Sequence, residues 1–447
     1  MVFLPSFTDS KELYHQEFDS DTVMPWHECP LLQMDGSTSW TATSTDGGAG
    51  MLSGGHSFVS RVIIHDGHYK FRGIPQPSPS SQHVVTFAVK KLKTQDEAGF
   101  NKEVAMLRNL GGKKAHTVRL LATFRHGGVY SLLFPWAECD LLAYWHRDLG
   151  PAGMSDGLIM WVVNQCHGLM TALEWIHNPG RDVLGPKGDM YGRHGDIKPE
   201  NILWYKEKGD GPHPLASGQL VFSDFGLSSL NHKDTRSGIY NTGILCTTTY
   251  APPESILENY KISQAIDIWA LGCVFLEFAT WIVDGPGSVD QFMLKRMAPH
   301  LRSPTKRDVF WELQEIKSPG STPENTAPQY VAVVKPQVVE WIESLNNSPR
   351  ATNFIRDFLQ IIQQHMLVIA VGDEPRNRAR ATPLKSKFDN LKRNCDRDWS
   401  YYMAKANHAI ENPRPVVLQP EVVPRHLSIA VLEAINRGSV AIPQFRG

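Results

Sequence analysis

Two short strings, separated by an insertion, constrain this chain more than any other part of its sequence. The first is H-G-D-I-K-P-E-N at residues 194–201, which leads directly into the apolar triplet Ile-Leu-Trp. The second is L-V-F-S-D-F-G at residues 220–226. A single Asp beside a strand usually only closes a turn, because its carboxylate accepts hydrogen bonds from nearby backbone N–H groups. The two strings together place two aspartates, a lysine and an amide within one short region.

Those groups are the ones that phosphoryl transfer requires: an acceptor for a hydroxyl proton, a cation for phosphate oxygens and oxygen ligands for magnesium. In this order the strings resemble the catalytic loop and the metal-binding segment of eukaryotic-type protein kinases. By that resemblance Asp196 orients the substrate hydroxyl and accepts its proton, and Lys198 steadies the γ-phosphate of ATP. Asn201 and Asp224 would then bind Mg²⁺, with Mn²⁺ as the alternative ion.

The same resemblance requires a lysine on an upstream strand and a glutamate on the helix that follows. F-A-V-K at residues 87–90 supplies Lys90, and Glu103 follows 13 residues later. The alternative is a lysine on the solvent face of an edge strand, but the apolar flank favours the functional interpretation. Glu103 lies in a predicted helix, because four apolar residues recur at helical spacing on one face: Phe100, Val104, Leu107 and Leu110.

The nucleotide-binding positions are also implied by the resemblance. In L-L-F-P-W-A-E the hinge is placed at Phe134, Pro135 and Ala137, where the Pro135 carbonyl faces the adenine amine. Proline has no N–H, and none is needed at that position. An ordinary edge-strand proline is the alternative. The remaining ATP-binding positions are Ala88, Gly54, Gly55 and Val59.

The glycine-rich loop departs from the family. The family pattern G-x-G-x-x-G-x-V corresponds to L-S-G-G-H-S-F-V at residues 52–59, which lacks the first and third glycines. Such a loop is a weak signal even when it is intact. A degenerate loop favours reduced nucleotide affinity. It also leaves an alternative interpretation, in which the chain is a catalytically inactive member of the family that serves as a binding scaffold.

Further positions match residues that organise the family's activation segment and helical part. C-T-T-T-Y-A-P-P-E at residues 246–254 resembles the end of that segment, which docks peptide substrates. A lysine two residues after Asp196 resembles the serine/threonine branch. The structural positions implied are Phe225, Gly226, Thr247, Glu254, Asp267 and Arg378.

Gly195 is a second departure, since most kinases that are regulated through this loop carry arginine there. That arginine receives a phosphate from the activation segment, which is a charge-assisted contact. We therefore predict that phosphorylation of residues such as Thr235 or Thr242 is not needed for activity through this contact. The long insertions, the H-G-D spelling and F-A-V-K-K-L are similar to kinase-like proteins of filamentous fungi.

The order of predicted elements, a small β-rich part followed by a larger helical part, gives an α+β class. The resemblance implies a bilobal kinase-like fold, with one main helix in the small β-rich lobe and a larger helical lobe. We expect an N-terminal arm, loop-like or weakly ordered, at 1–45, the β-rich lobe at 46–136, the helical lobe with insertions at 137–392 and a tail at 393–447. The motif resemblance spans about residues 50–392.

Composition and charge limit the kinds of partner that we expect. The chain has 447 residues, 45 Lys and Arg against 46 Asp and Glu, and a formal charge of −1, so no global field favours nucleic acid or an anionic membrane. Its six cysteines lack zinc-ligand spacing, which favours free thiols. No leader sequence or membrane span is expected, and we expect a cytoplasmic or nuclear protein with ATP and a protein substrate as partners. A kinase of small molecules is less favoured, because the string at 246–254 resembles a peptide-docking segment.

Overall fold

The computed structural model describes the chain in seventeen stretches and divides it into two compact units. Unit 1 comprises residues 1–146, 202–208 and 218–228, and unit 2 comprises residues 147–201, 209–217 and 229–447. This division differs from the sequence expectation of a boundary at residue 136, because two later segments return to unit 1. The residues that the structure describes are 5–8, 15–29, 51–53, 57–74, 84–93, 97–149, 154–179, 190–207, 215–232, 239–240, 248–256, 261–297, 299–300, 303–316, 329–370, 378–404 and 421–422.

The strands are short, and most of those that precede residue 150 belong to one sheet. In chain order they are β1 (Phe7–Thr8), β2 (His15–Phe18), β3 (Trp26–Glu28), β4 (Met51–Ser53), β5 (Ser57–Ile64), β6 (Tyr69–Lys70), β7 (Phe87–Leu92), β8 (Ala122–His126), β9 (Val129–Pro135), β10 (Cys139–Asp140), β11 (Met190–Arg193), β12 (Ile202–Tyr205), β13 (Gln219–Phe222), β14 (Ser229–His232), β15 (Ile239–Tyr240), β16 (Lys261–Ile262), β17 (Pro299–His300), β18 (Ser303–Lys306), β19 (Trp311–Ile316), β20 (Gln329–Val334) and β21 (Glu421–Val422).

The helices lie mainly in unit 2. In chain order they are α1 (Glu97–Leu110), α2 (Leu141–Trp145), α3 (Asp156–His177), α4 (Ala265–Asp284), α5 (Ser288–Arg296), α6 (Pro336–Asn346), α7 (Asn353–Ile361), α8 (Ala381–Arg397) and α9 (Trp399–Met403). A β-rich unit with one main helix and a helix-rich unit confirm the predicted α+β class.

The main sheet of unit 1 has the strand order β2-β8-β9-β7-β5-β3, with β4 also paired to β5. Within this sheet β5 and β7 are antiparallel, and Val59 lies opposite Lys90. The predicted helix is confirmed as α1, and its four apolar residues are buried as expected: Phe100, Val104, Leu107 and Leu110.

The N-terminal region differs from the loop-like arm expected from its polar composition. β2 pairs in parallel with β8, and β3 pairs antiparallel with β5, so both extend the main sheet. Phe7 is only 1% exposed and packs near the rings of Trp26 and Phe124, with centroids 5.8 and 5.7 Å away. Burial of these widely spaced aromatic residues outweighs the weak strand propensity of the residues around them.

Unit 2 is organised around α4. All its residues from Ile266 to Val283 are buried, and Gly272 lies so close to Met366 that an added Cβ would meet the Met366 Cβ at 2.8 Å. The rings of Phe275, Phe358 and Phe388 pack together beside it. Glycine at position 272 therefore permits close packing against α4.

Among the described residues, α4 is also the single helix whose length and mean hydropathy, 1.7, would suit a membrane span, although sequence analysis expected none. The most apolar window of α4 is completely buried inside the protein. Asp267 and Glu277 are buried on the same helix, 1% exposed each, and both have polar partners. Such burial is typical of the central helix of a protein core.

The described residues between 285 and 350 include two paired strands as well as helices. β19 and β20 form an antiparallel hairpin, and Val331 and Ala332 of β20 pair with Val422 and Glu421 of β21. Unit 2 therefore also contains a three-stranded sheet. The five cysteines in the described part of the chain are free thiols: Cys29, Cys139, Cys166, Cys273 and Cys395.

The packing of the N-terminal region predicts that Phe7 stabilises unit 1. Phe7→Ala should lower the free energy of unfolding by about 3–5 kcal/mol, because it removes a buried ring and leaves a cavity. The control Val23→Ala, at a residue 58% exposed, should change it by less than about 0.5 kcal/mol. Urea unfolding followed by circular dichroism measures both. Equal stability of the two variants would show that the N-terminal strands do not belong to the cooperative unit.

Candidate active site

Lys90 is the centre of the charged group in unit 1. Its Nζ lies 2.8 Å from Glu103 Oε1 and 2.9 Å from Asp224 Oδ1, and its side chain is 13% exposed. Burial alone would lower the pKa of Lys90, but the two carboxylates outweigh burial and hold this pKa above its ordinary value. The structure therefore brings together three residues that the motifs predicted to meet.

The sheet sets the position of Lys90. Lys90 of β7 lies between Val59 of β5 and Leu132 of β9, and Ala88 lies opposite Phe134. Side chains of a strand alternate between faces, so Ala88 and Lys90 share one face of the sheet. Three predicted ATP-binding positions are therefore placed beside Lys90 by strand pairing.

The predicted hinge follows β9. Glu138 N donates to Trp204 O at 2.9 Å, and the Tyr205 hydroxyl donates to the Pro135 carbonyl at 3.3 Å. Within the described part of the chain, the Ala137 N–H makes no hydrogen bond. No motif indicated the contact from Tyr205, whose pKa is raised by burial.

Asp224 has a backbone conformation that is rare for a residue other than glycine. Its φ is 56° and its ψ is 77°, in the left-handed region, and its Oδ1 accepts a hydrogen bond from Gly226 N at 3.4 Å. The ring of Phe225, the next residue, is fully buried. A Cβ added to Gly226 would lie 3.3 Å from Asp224 Oδ1, so glycine keeps space beside the carboxylate. The turn thus directs Asp224 toward Lys90.

The predicted catalytic loop lies in unit 2 and is held by its own side chains. Asn201 Nδ2 donates to the backbone O and to Oδ2 of Asp196, both at 2.8 Å. Lys198 Nζ lies 3.2 Å from Asp196 Oδ2. The structure therefore brings the predicted proton acceptor, phosphate-binding lysine and metal-binding asparagine into one cluster.

Asp267 braces this loop from α4. Its carboxylate accepts from His194 N, Gly195 N and His177 Nε2, each at 2.8 Å. Burial opposes the negative charge, but the hydrogen bond from His177 and the other donors outweigh burial and lower the pKa of Asp267. The predicted structural role of Asp267 agrees with this geometry, whereas His177, the last residue of an apolar helix, had no signal in the sequence.

Glu254 and Arg378, two of the predicted structural positions, form a buried ion pair. Arg378 Nη1 donates to Glu254 Oε1 at 2.6 Å and to the Ala265 carbonyl at 2.7 Å. Arg378 Nε donates to the Val368 carbonyl at 2.9 Å. One guanidinium thus fixes the turn at Pro253–Ile256 to the start of α4.

Residues 248–256, which we call the docking segment, are also held by a buried group that the sequence analysis missed. The Tyr250 hydroxyl donates to Glu277 Oε2 at 3.0 Å, and Arg296 Nη2 donates to Glu277 Oε1 at 2.8 Å. Arg296 Nε donates to Asp308 Oδ1 at 2.8 Å. The Arg296 guanidinium lies 4.2 Å from the ring centroids of both Phe292 and Phe310.

Some predicted positions lie outside the described residues, namely Gly54, Gly55, Thr235, Thr242 and Thr247. The donors predicted for magnesium lie one in each unit, Asp224 in unit 1 and Asn201 in unit 2. A carboxylate and an amide carbonyl oxygen are hard oxygen ligands of the kind that Mg²⁺ prefers. The donor chemistry therefore fits this ion.

Much of the chain is similar in sequence to known proteins. The family model described as protein kinase domain matches residues 80–364, well over half of the chain and a narrower range than 50–392. Cyclin-dependent kinase-like 4 is 27% identical over 300 residues in Mus musculus, covering 65% of this chain and 74% of the relative. The Homo sapiens protein of that name is also 27% identical, covering 68% and 76%. Cyclin-dependent kinase 14 of Callithrix jacchus is 28% identical over 224 residues, covering 49% of this chain and 46% of the relative.

The buried group around Glu277 predicts a pH dependence of stability. Burial raises the pKa of Glu277 from 4.5 to about 7, although Arg296 opposes the rise. Between pH 4.5 and 7 the folded protein holds a proton on Glu277 that the unfolded chain has released. The free energy of unfolding therefore increases as the pH falls from 7 toward 4.5, and this contribution is lost as the pH rises through 7.

Glu277→Gln keeps the shape and the acceptor for Tyr250 but cannot titrate. We expect the melting temperature of the wild type relative to Glu277→Gln to increase as the pH is lowered from 8 to 5.5. Differential scanning fluorimetry of both proteins across this range measures the difference, in which contributions from other titrating groups cancel. A difference that stays constant with pH would contradict the raised pKa.

Proposed function

The chain belongs to the protein kinase family, and we propose that it transfers the γ-phosphate of ATP to serine or threonine hydroxyls of protein substrates. The observation that carries this proposal is the bridge from Lys90 to both Glu103 and Asp224, at 2.8 and 2.9 Å. In phosphoryl transfer catalysis comes mainly from positioning and from electrostatic stabilisation, so a lysine fixed by two carboxylates is suited to orient phosphates.

Each group has a role in the proposed reaction. Lys90 contacts the α- and β-phosphates, while the Ala137 N–H and the Pro135 carbonyl face the adenine. Asp196 accepts the proton of the attacking hydroxyl, and its carboxylate is oriented for this by Asn201 at 2.8 Å. Lys198 offsets negative charge on the γ-phosphate.

When bound, a magnesium ion would neutralise phosphate oxygens and support the departure of ADP. Asp224 and Asn201 are the residues proposed to hold it, because a carboxylate and an amide oxygen match its preference for hard ligands. Mn²⁺ would use the same donors. The preference for serine and threonine is supported by Lys198, two residues after Asp196, and by Thr247 at the position that contacts the catalytic loop in the serine/threonine branch.

A catalytically inactive scaffold is the alternative function. It is suggested by the degenerate glycine-rich loop at residues 52–59. Inactive members usually lack the strand lysine, the catalytic Asp or the metal-binding Asp, and this chain has all three as Lys90, Asp196 and Asp224. Stabilisation by Mg-ATP, followed by radiolabel transfer to a generic basic protein, separates a kinase from a scaffold.

We also propose that the protein acts in the cytoplasm or nucleus, without nucleic acid or membrane as partner. Imaging of the tagged full chain would test the proposed location.

Asp196→Asn tests the assignment of the proton acceptor. Transfer to protein should fall by about 10²–10⁴-fold, the usual contribution of a positioned general base. The melting temperature and its increase with Mg-ATP should be retained, because the new amide has the shape of the carboxylate and its oxygen still accepts from Asn201.

The control is Asp396→Asn, which removes a carboxylate 45% exposed that pairs with Lys392 on α8. It should leave transfer unchanged. Wild-type transfer by Asp196→Asn would reject the assigned role.

Lys90→Met should weaken productive ATP binding, and its melting temperature must be measured too, because it leaves Glu103 buried without its cation.

Because residue 195 is glycine, we predict that activity does not depend on a contact between a phosphorylated activation segment and the catalytic loop. Glycine carries no guanidinium to bind a phosphate, and Gly195 N is instead bonded to Asp267 Oδ1 at 2.8 Å. Treatment of active protein with a phosphatase should leave kcat unchanged within about twofold, as expected when no charge-assisted contact is removed. Mass spectrometry before and after treatment is the control for phosphate removal. Loss of turnover on dephosphorylation would reject this prediction.

A further inference from the structure

The hairpin of β19 and β20 contacts the docking segment through two consecutive residues. Trp311 Nε1 donates to the Ala251 carbonyl at 3.0 Å. The ring of the preceding residue, Phe310, lies 6.1 Å from the ring of Tyr250. Phe310 and Trp311 therefore meet two neighbouring residues of the docking segment, Tyr250 and Ala251.

The contact from Trp311 satisfies a buried backbone group. Trp311 is 5% exposed and Ala251 is 4% exposed. Ala251 lies between two short helical turns, Thr248–Tyr250 and Pro253–Ile256, and belongs to no strand or helix that would pair its carbonyl. A buried carbonyl outside regular structure requires a donor from elsewhere, and the indole N–H is that donor.

The start of the hairpin is itself firmly anchored. Lys335, which follows β20, donates its backbone N–H to the Phe310 carbonyl at 3.0 Å. Lys335 Nζ donates to the carbonyls of Arg296 at 2.6 Å and of Arg307 at 2.9 Å, and Lys335 is completely buried. The Arg296 guanidinium also packs on the Phe310 ring. Phe310 and Trp311 therefore present fixed groups to the docking segment.

We propose that Phe310 and Trp311 are positioning residues for the peptide substrate, acting through the backbone of the docking segment. This inference rests on the proposed kinase function. Neither residue is among the predicted ATP-binding or catalytic positions. Their contacts fix the main chain from Tyr250 to Ala251, and with it the surface against which a peptide would lie.

Trp311→Phe tests the inference, because it keeps an aromatic ring and removes one N–H donor. The matched control is Trp341→Phe, which also removes one indole N–H in unit 2, the donor to Thr280 Oγ1 at 3.0 Å. We expect Trp311→Phe to raise the KM for peptide by about five- to tenfold, since the unpaired carbonyl destabilises the docking backbone. The KM for ATP and kcat at saturating peptide should stay within about twofold of the wild type. Trp341→Phe should leave all three constants unchanged.

Hydrogen exchange of residues 248–256 provides a second measurement that does not depend on activity. Exchange should be faster in Trp311→Phe than in the wild type or in Trp341→Phe. Unchanged exchange would overturn the inference even if the wild type transferred no phosphate, an outcome that separately rejects the proposed function. An active wild type with an unaltered peptide KM in Trp311→Phe would overturn the inference alone.

Phe310→Leu is the second variant if Trp311→Phe does not fold. Leucine keeps an apolar side chain at position 310 and removes the ring that faces Tyr250. The same rise in peptide KM and the same faster exchange are expected. If the KM for ATP also rose and kcat also fell, the variant would be generally damaged, and this outcome would overturn the positioning role.

Discussion

The ion pairs of Lys90 with Glu103 and Asp224 connect three segments that are far apart in the sequence. The lysine comes from a central strand, Glu103 from α1 and Asp224 from the turn after β13. A buried lysine is costly unless carboxylates compensate its charge, and two do so here. Loss of both carboxylates would leave the lysine charge uncompensated, and loss of either one would remove one of its two acceptors, so strand, helix and turn depend on one another. The strained left-handed backbone of Asp224 is maintained by the same contact, because it directs the carboxylate toward the lysine.

Unit 2 applies the same physical principle to irregular backbone. The predicted catalytic loop and the docking segment contain only short helical turns, so many of their backbone groups need partners from side chains. Asp267 accepts two backbone N–H groups of that loop. Arg378 binds Glu254 of the docking segment and also donates to the carbonyls of Val368 and Ala265, which lie outside that segment. Both charged groups are buried and each has an oppositely charged or polar side-chain partner, His177 and Glu254. Asp267 on α4 and Arg378, just before α8, thus hold segments whose own regular structure is limited to short helical turns.

Much of the candidate site could be predicted from the sequence, because its residues belong to spaced strings whose chemistry is specific. The positions Lys90, Glu103, Glu254 and Arg378 were predicted from the resemblance, and the structure brings them together as the pairs Lys90–Glu103 and Glu254–Arg378. Contacts made by isolated residues could not be predicted, such as those of His177 and Tyr205, because no local pattern accompanies them. The N-terminal strands were missed since they are two to four residues long and their aromatic residues follow no period. The hairpin of β19 and β20 is a different case, because its signal was present: Trp311 and Leu313 are buried and alternate with Glu312 and Gln314, which is the period of a half-buried strand. The surrounding proline, serine and charge hid this short alternation.

The backbone at Gly195 shows why the loop around Asp196 can keep its shape without a charged side chain at position 195. Its φ is +90°, a conformation that glycine adopts without the roughly 1–2 kcal/mol that a Cβ would cost. An arginine would bear this cost and would need an anion to offset it. Gly195 avoids the strain, and its N–H is held by Asp267, whose lowered pKa keeps the carboxylate ionised near neutral pH. A permanently charged buried carboxylate therefore braces the backbone of this loop.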